Sequence, residues 1–180
     1  MSCLKCKHSQ SLDISTFLIV PYSIENKETT KVLRYFQYEA PGISSAHSVD
    51  RDHTLCKSTF GKILHDEKVE YSFCGQSAKI SKHLTSLGLS GNYLCFKCNR
   101  FVCKLLNPRD GVKEEQYQGF LRHMRNSIAH GNIYCKMMAN QVYFIFDDYS
   151  LDGKHNLTAR ILIKRSSLMR LMKAIKAVKE

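Results

Sequence analysis

The hydrophobic period of the chain changes at Gly131. Before this glycine, apolar residues recur at helical spacing, at Val112, Tyr117, Phe120, Leu121, Met124 and Ile128. After it, Val142, Phe144 and Phe146 alternate with Tyr143 and Ile145, which is the period of a strand. The sequence therefore predicts a long helix that Gly131 ends, since glycine tolerates the left-handed geometry that follows many helices.

A second alternating run follows the first and completes a predicted β-hairpin. Ala159, Ile161 and Ile163 lie beyond a polar stretch that contains Asp152-Gly153, a sequence typical of turns. The chain then returns to helical spacing, and we predict a terminal helix over residues 166–179.

The rest of the chain indicates mainly helices. We predict helices over residues 28–38, 77–87 and 92–106, a weaker one over 47–61, and a strand or an irregular segment over 12–22. The motif helix would start at Asn107-Pro108, because asparagine caps helices and proline fits the first helical position. The expected fold is mainly α: a helical bundle with a C-terminal β-hairpin and a terminal helix. It would form one domain over residues 1–180, with residues 1–25 as a possible N-terminal appendage and 107–180 as the motif helix, hairpin and terminal helix.

Charge and cysteine content limit the class of protein. The 180 residues include 27 Lys and Arg against 16 Asp and Glu, a net charge of +11 that favours a polyanionic partner. No apolar run approaches the roughly 18 residues of a membrane span, and the polar start of the chain does not resemble a secretory signal. We therefore expect a cytoplasmic protein without a membrane partner, whose eight cysteines are thiols or metal ligands.

The end of the predicted long helix carries polar residues that can do chemistry. Asn126 and His130 are four residues apart and share a helix face. Arg125 lies about 140° around the helix from His130, at 3.6 residues per turn. An arginine and a histidine close together can hold a phosphate and move a proton near neutral pH. The spacing alone is a weak motif, and a capping histidine with a solvated arginine is the plain alternative.

The segment from Arg125 to Asn132, RNSIAHGN, resembles the signature of HEPN-domain ribonucleases, in which an arginine and a histidine end a long helix. The resemblance covers residues 107–180 and implies metal-independent cleavage of RNA by a homodimer. It assigns proton transfer to His130, phosphate binding to Arg125, and orientation of the phosphate or of His130 to Asn126. Some HEPN toxins carry a modifiable tyrosine two positions after the histidine. Asn132 stands there in this chain, with Tyr134 two residues on, so we do not expect that control.

Basic residues outside the motif are expected to follow the RNA backbone. Residues 154–180 contain eight Lys or Arg and one acid, a net of +7 (8 − 1). We expect Arg122, Arg170, Lys173 and Lys176 to bind RNA, with a solvated helix face as the alternative.

Two Cys-x-x-Cys pairs, Cys3/Cys6 and Cys95/Cys98, supply the four thiolates of a tetrahedral zinc site, with His8 as a possible alternative ligand. The second pair falls in the predicted helix over 92–106, where buried thiols that act as small apolar groups are common. The expectation from the sequence is no cofactor, with zinc as the alternative.

Three functional hypotheses remain. The first is a homodimeric HEPN endoribonuclease, a toxin or antiviral effector that is controlled by an antitoxin or another regulatory partner. The second is a non-catalytic HEPN module that binds RNA, a nucleotide or a protein. The third is an interaction protein stabilised by zinc.

Overall fold

A computed structural model of the chain describes residues 11–19, 27–41, 57–106, 114–150 and 155–178. Within these residues the elements are β1 (Leu12–Asp13), a 3-10 turn (Ile14–Thr16), β2 (Leu18–Ile19), α1 (Lys27–Arg34), a π-helical turn (Tyr35–Glu39), α2 (Lys57–Asp66), β3 (Val69–Cys74), α3 (Ser77–Ser86), β4 (Tyr93–Leu94), β5 (Asn99–Lys104), α4 (Gln116–Ala129), β6 (Ile133–Met138), β7 (Gln141–Tyr149), β8 (Leu157–Lys164) and α5 (Arg165–Ala177).

A six-stranded mixed sheet organises the fold. Its strand order is β2-β6-β7-β8-β5-β3, and a separate two-stranded sheet joins β1 to β4. Neighbouring strands in the large sheet are antiparallel except β3 and β5, which are parallel. The prediction of a mainly α bundle is therefore wrong.

Both faces of the sheet are covered, and alternate residues of β7 show this directly. Phe144 and Phe146 pack into a core beneath α1, α2, α4 and α5. Tyr143 and Ile145 pack into a second core with α3 and the residues around β1 and β4. The period-two pattern thus marks a central strand with two apolar faces, and not a strand with one face in water.

The predicted helix over residues 92–106 is also wrong. Its residues form β4, a turn and β5, and Phe101, Val102 and Cys103 of β5 are fully buried. A strand buried on both faces has a continuous apolar run, which periodicity does not separate from a buried helix. Arg100 is buried in the same strand because its guanidinium donates to the carbonyl oxygens of Leu87 and Cys95.

Most of the other predicted elements are confirmed. The hairpin is confirmed as β7 and β8, although part of its turn lies outside the described residues, and the terminal helix is confirmed as α5. Helices α1 and α3 confirm the predictions over 28–38 and 77–87. Helix α2 covers the end of the predicted segment 47–61, and residues 47–56 of that segment lie outside the described residues. The motif helix ends as predicted. It begins at Gln116, since Glu115 caps it and Glu114 is not helical, and the predicted start at Asn107-Pro108 lies outside the described residues. None of the helices among the described residues combines the length and the apolar composition of a membrane span.

Gly131 provides a test of how α4 ends. Its φ is +70°, and an added Cβ would meet nothing within 4 Å, so a substitution there changes backbone strain and not packing. We expect Gly131→Ala to lower the free energy of unfolding by about 1–2 kcal/mol, because alanine is disfavoured in the left-handed region. Denaturant unfolding followed by circular dichroism measures this change.

Gly61→Ala is the matched control. Gly61 lies inside α2, and an added Cβ there also meets nothing within 4 Å. Alanine should raise stability at this position by about 0.5–1 kcal/mol. Equal effects of the two substitutions would contradict the role given to Gly131.

Candidate active site at the end of helix α4

Helix α4 ends in a turn that uses the last three residues of the motif. His130 is the C-cap, Gly131 takes the left-handed conformation, and Asn132 follows. The Asn132 N–H donates to Ser127 O at 2.9 Å, and the Gly131 N–H donates to Ile128 O at 3.2 Å. This pair of hydrogen bonds is a Schellman motif, which satisfies carbonyl groups at the helix end. His130 is thereby fixed at the tip of the helix, exposed to solvent.

Two further motif residues lie one turn earlier. Arg125 and Asn126 are both half-buried. Asn126 is about 40° around the helix from His130, and Arg125 about 140°, at 3.6 residues per turn. Asn126 and His130 therefore share a face, whereas Arg125 projects in a different direction from the same helix.

A buried contact between a histidine and a carboxylate fastens α4 to the sheet beneath the motif. His123 Nδ1 lies 2.6 Å from Asp148 Oδ2 of β7, and both side chains are at most 5% exposed. His123 Nε2 lies 2.7 Å from the carbonyl oxygen of Lys104, at the end of β5. One imidazole ring thus contacts two strands of the sheet, and this fixes the rotation of α4.

Asp148 also orients Asn126. The Nδ2 of Asn126 donates to Asp148 Oδ2 at 3.3 Å. Because the amino end of the amide points to this carboxylate, the Oδ1 atom of Asn126 is directed away from it. Asn126 can therefore offer an acceptor to a neighbouring group on the outer side of the helix.

Arg122 takes part in the internal structure of the site. Its Nε and Nη2 donate to the two carboxylate oxygens of Glu114 at 2.7 and 3.0 Å, and Nη2 also donates to Lys104 O at 2.9 Å. This two-point pairing joins the residue before the helix cap to the middle of α4. The charge of Arg122 is compensated within the chain.

Arg125 lies in a less favourable electrostatic environment. Burial lowers the pKa of its guanidinium, and the positive charge of Arg122 lowers that pKa further. A lowered pKa means that the surroundings disfavour the cation relative to water. An anion placed beside Arg125 would relieve this cost.

A comparison with protein-family models matches residues 97–179 to a family described as HEPN pEK499 p136. Residues 97–179 are thus similar to the HEPN family. The match confirms the resemblance inferred from RNSIAHGN and starts earlier, in the turn before β5. Comparison with curated proteins finds no match, and comparison with solved structures finds none either.

The segment that matches the family model also contains the basic residues predicted on the terminal helix, and two of them have partners. Arg170 pairs with Glu67, with Nε 2.8 Å from Oε1. The amino group of Lys176 lies 3.3 Å from Glu39 Oε2 and over the ring of Tyr35. Lys173 is exposed, and no carboxylate in the described part of the chain pairs with it. RNA binding by these residues and by Arg122 stays a prediction.

The Cys95/Cys98 pair lies at the start of the segment that the family model matches. Cys95 and Cys98 occupy the turn between β4 and β5, whereas Cys3 and Cys6 are outside the described residues, as is His8. No group of three or more metal-ligating side chains occurs within the described ranges.

Sequence reasoning missed three residues that build this site: Glu114, His123 and Asp148. Two signals were present in the sequence. His123 falls on the apolar side of the motif helix, and Asp147-Asp148 interrupts the apolar run of β7. A charged group at a core position needs a buried partner, so these residues were candidates for pairing with one another.

The His123–Asp148 pair makes a thermodynamic prediction. Replacing either partner alone leaves the other buried without this short contact, so His123→Gln and Asp148→Asn should each cost about 1–3 kcal/mol of folding free energy. The double variant should cost less than the sum, with a coupling energy of about 0.5–3 kcal/mol. Urea unfolding of the four proteins in the cycle measures this coupling, and a value of zero would show that the pair does not anchor α4.

Proposed function

We propose that this protein is a HEPN endoribonuclease that cleaves RNA through attack of a ribose 2′-hydroxyl on the adjacent phosphate, without a catalytic metal. The observation that carries the proposal is the placement of the Arg125–His130 motif. Its helix is anchored to the sheet by the buried His123–Asp148 contact, ends in a fixed turn, and lies in the segment that matches the HEPN family model.

His130 is the proton-transfer group in this proposal. It is exposed at the helix tip, where an RNA strand can reach it. It takes the proton of the 2′-hydroxyl or gives a proton to the leaving 5′-oxygen. A positioned acid or base of this kind contributes roughly 10²–10⁴-fold to the rate.

Arg125 binds the scissile phosphate. Its lowered pKa supports this role, since a phosphate would stabilise a cation that burial and Arg122 disfavour. The planar fork of the guanidinium can hold two phosphate oxygens at once and stabilise their charge as the transition state forms.

Asn126 positions these groups. Its amide orientation is set by Asp148, and it shares a helix face with His130. The Oδ1 atom of Asn126 is therefore suited to accept a hydrogen bond from the imidazole of His130 or from the substrate hydroxyl.

A two-fold dimer through α4 would complete the site. Arg125 and His130 of one chain point about 140° apart around the helix, so one chain does not offer both groups to a single phosphate. A second copy related by a two-fold axis supplies the complementary group. Within such a dimer, the pairing of Arg122 with Glu114 reduces the repulsion between the two arginine-rich helices.

The same 140° offset also supports a second candidate, a HEPN module that binds RNA or a nucleotide without cleaving it, because a single chain would then offer Arg125 to a phosphate without His130. Arg125 alone suffices for phosphate binding in that case. The role of a toxin or antiviral effector under the control of an antitoxin belongs to the first candidate only.

Single substitutions separate these two functions. Purified protein with total RNA and a chelator should produce fragments, and His130→Ala should slow cleavage by about 10²–10⁴-fold. Arg125→Lys should also fail despite its charge, because lysine lacks the planar fork. Asn126→Ala should lose less activity, since its role is orientation.

His65→Ala is the matched control, because His65 is also an exposed histidine in the last turn of a helix. It should cleave like the wild type. Full activity of both His130→Ala and Arg125→Ala would remove the motif from the mechanism, and RNA binding without any cleavage would favour the second candidate.

The dimer makes a separate prediction. Mixing inactive Arg125→Ala chains with inactive His130→Ala chains should restore up to about a quarter of the wild-type activity, because half of the dimers are mixed and each has one intact composite site. Gel-based cleavage assays measure the recovery. A strict monomer by light scattering at micromolar concentration, or no recovery in dimers shown to exchange chains, would contradict the composite site.

The basic face of α5 predicts salt dependence. RNA affinity should fall steeply as salt rises, since cation–phosphate contacts release counterions. Replacing Arg170, Lys173 and Lys176 by alanine should raise KM with little change in kcat, if they contact only the backbone of the RNA. The triple variant also loses its pairs with Glu67 and Glu39, so Glu39→Gln/Glu67→Gln is the control for their structural role. An unchanged KM would identify this face as solvated surface.

A further inference from the structure

The outer face of α1 carries basic side chains in a row. Lys27, Lys31 and Arg34 are separated by four and three residues, so they share one face of the helix. All three are exposed, whereas Thr29 and Val32 of the same helix are buried. These three cations form the basic stripe, which lies on the side of α1 away from the core.

Tyr38 continues the basic stripe one turn beyond Arg34. Its side chain is 64% exposed, although it belongs to a turn that is largely buried. A single exposed aromatic residue is common on protein surfaces. Its position at the end of a row of cations is more informative, because proteins hold single-stranded nucleic acids with cations along the backbone and aromatic rings on which bases stack.

A tight turn holds Tyr38 in this position. The Ala40 N–H donates to Tyr35 O at 2.9 Å, five residues back, and closes the π-helical turn. Tyr35 and Phe36 are buried in the core that lies beneath α4. The backbone that carries Tyr38 is therefore fixed, and a base that stacks on its ring orders little else in the protein. A preorganised contact of this kind loses less free energy to ordering.

The carboxylates beside the basic stripe are paired with cations. Glu39 Oε2 lies 3.3 Å from the amino group of Lys176, and Glu39 Oε1 lies 3.9 Å from Arg34 Nε. Glu28 Oε2 lies 3.9 Å from Arg165 Nη2. Both carboxylates thus connect α1 to the basic residues of α5, and the two helices present one positive surface that favours a polyanion.

The basic stripe lies outside the segment that matches the family model, which starts at residue 97. It is nevertheless close to the motif helix, because the π-helical turn that follows it packs against α4. An RNA strand held along the stripe therefore lies beside the helix that carries Arg125 and His130.

We propose that the basic stripe and Tyr38 form a binding surface for single-stranded RNA. Lys27, Lys31 and Arg34 contact phosphates, and one unpaired base stacks on the ring of Tyr38. A base inside a duplex is covered by its neighbours and does not offer its face to a side chain, so the surface selects RNA with unpaired nucleotides. The inference rests on the proposed function for the identity of its ligand, RNA.

Binding of a fluorescent single-stranded RNA of about 12 nucleotides tests the surface. The full-length His130→Ala protein serves as the parent, so that cleavage does not destroy the probe, and anisotropy gives Kd. Tyr38→Ala in this parent should weaken binding about 5–150-fold, the usual effect of removing one base–aromatic stack. Tyr38→Phe should bind like the parent, because it keeps the ring. Binding of a fully paired RNA should not change with Tyr38→Ala.

Tyr93→Ala is the matched control, because Tyr93 is 63% exposed and lies on β4, in the separate two-stranded sheet. It should bind single-stranded RNA like the parent. A Tyr38→Ala protein that binds like the parent overturns the inference, and so does an equal loss in Tyr38→Ala and Tyr93→Ala. Tyr38→Phe as weak as Tyr38→Ala overturns the stacking.

The salt dependence of binding tests the basic stripe. Lys27→Ala/Lys31→Ala/Arg34→Ala should reduce the slope of log affinity against log salt by about 2, since each phosphate contact on a single strand contributes about 0.7. The charge-matched control replaces three exposed lysines of α3 and of the β4–β5 turn, Lys79, Lys82 and Lys97, and should keep the slope of the parent. Equal slopes in the two triple variants would assign the effect to net charge and overturn the stripe.

These measurements separate the inference from the proposed ribonuclease activity. Wild-type protein that binds RNA through Tyr38 and the stripe but cleaves nothing contradicts the ribonuclease and supports the binding surface. Cleavage with an unchanged KM in Tyr38→Ala supports the ribonuclease and overturns the binding surface. A parent protein that binds no RNA overturns the inference as well.

Discussion

The geometry of the motif depends on the buried contact between His123 and Asp148. The imidazole contacts the carboxylate of β7 and a carbonyl oxygen of β5, so one side chain of α4 is held by two strands. Replacing one member of this pair leaves the other buried without its partner, which typically costs about 1–3 kcal/mol. The orientation of Asn126, and with it the face that carries His130, follows from this anchor.

The neighbouring acid, Asp147, makes the matching contact on the opposite face of the sheet. Arg160 donates to both oxygens of Asp147 at 2.8 Å and to the carbonyl oxygens of Leu89 and Gly91. Two adjacent carboxylates in one strand therefore connect the sheet to α4 on one face and to the α3–β4 connection on the other. The hydrophobic cores on the two faces of the sheet supply most of the stability, whereas these polar pairs fix the positions of α4 and of the α3–β4 connection on the sheet.

Local signals in the sequence predicted the end of α4, the β7–β8 hairpin and α5. The change of period at Gly131, the alternation in β7 and β8 and the apolar stripe of α5 all gave correct elements. The central strand β5 was predicted as a helix because its two covered faces remove the period-two signal, and Asn99 and Arg100 are buried by specific hydrogen bonds that no pattern reports. That error, and the absence of β3 and β6 from the predicted elements, together account for the wrong fold class. Arg125, Asn126 and His130 were chosen from the sequence, but the residues that hold them in place depend on contacts between strands far apart in the chain.

The most direct test of the ribonuclease mechanism is cleavage of a defined RNA in which the nucleotide on the 5′ side of the cleaved bond carries 2′-deoxyribose, compared with the unmodified strand. Attack by the 2′-hydroxyl predicts that the unmodified RNA yields 5′-side fragments ending in a 2′,3′-cyclic phosphate or the 3′-phosphate that forms when it opens. It also predicts that the deoxy strand stays intact and that His130→Ala cleaves neither. Cleavage of the deoxy strand at the same bond, or fragments that end in a 3′-hydroxyl, would contradict the account.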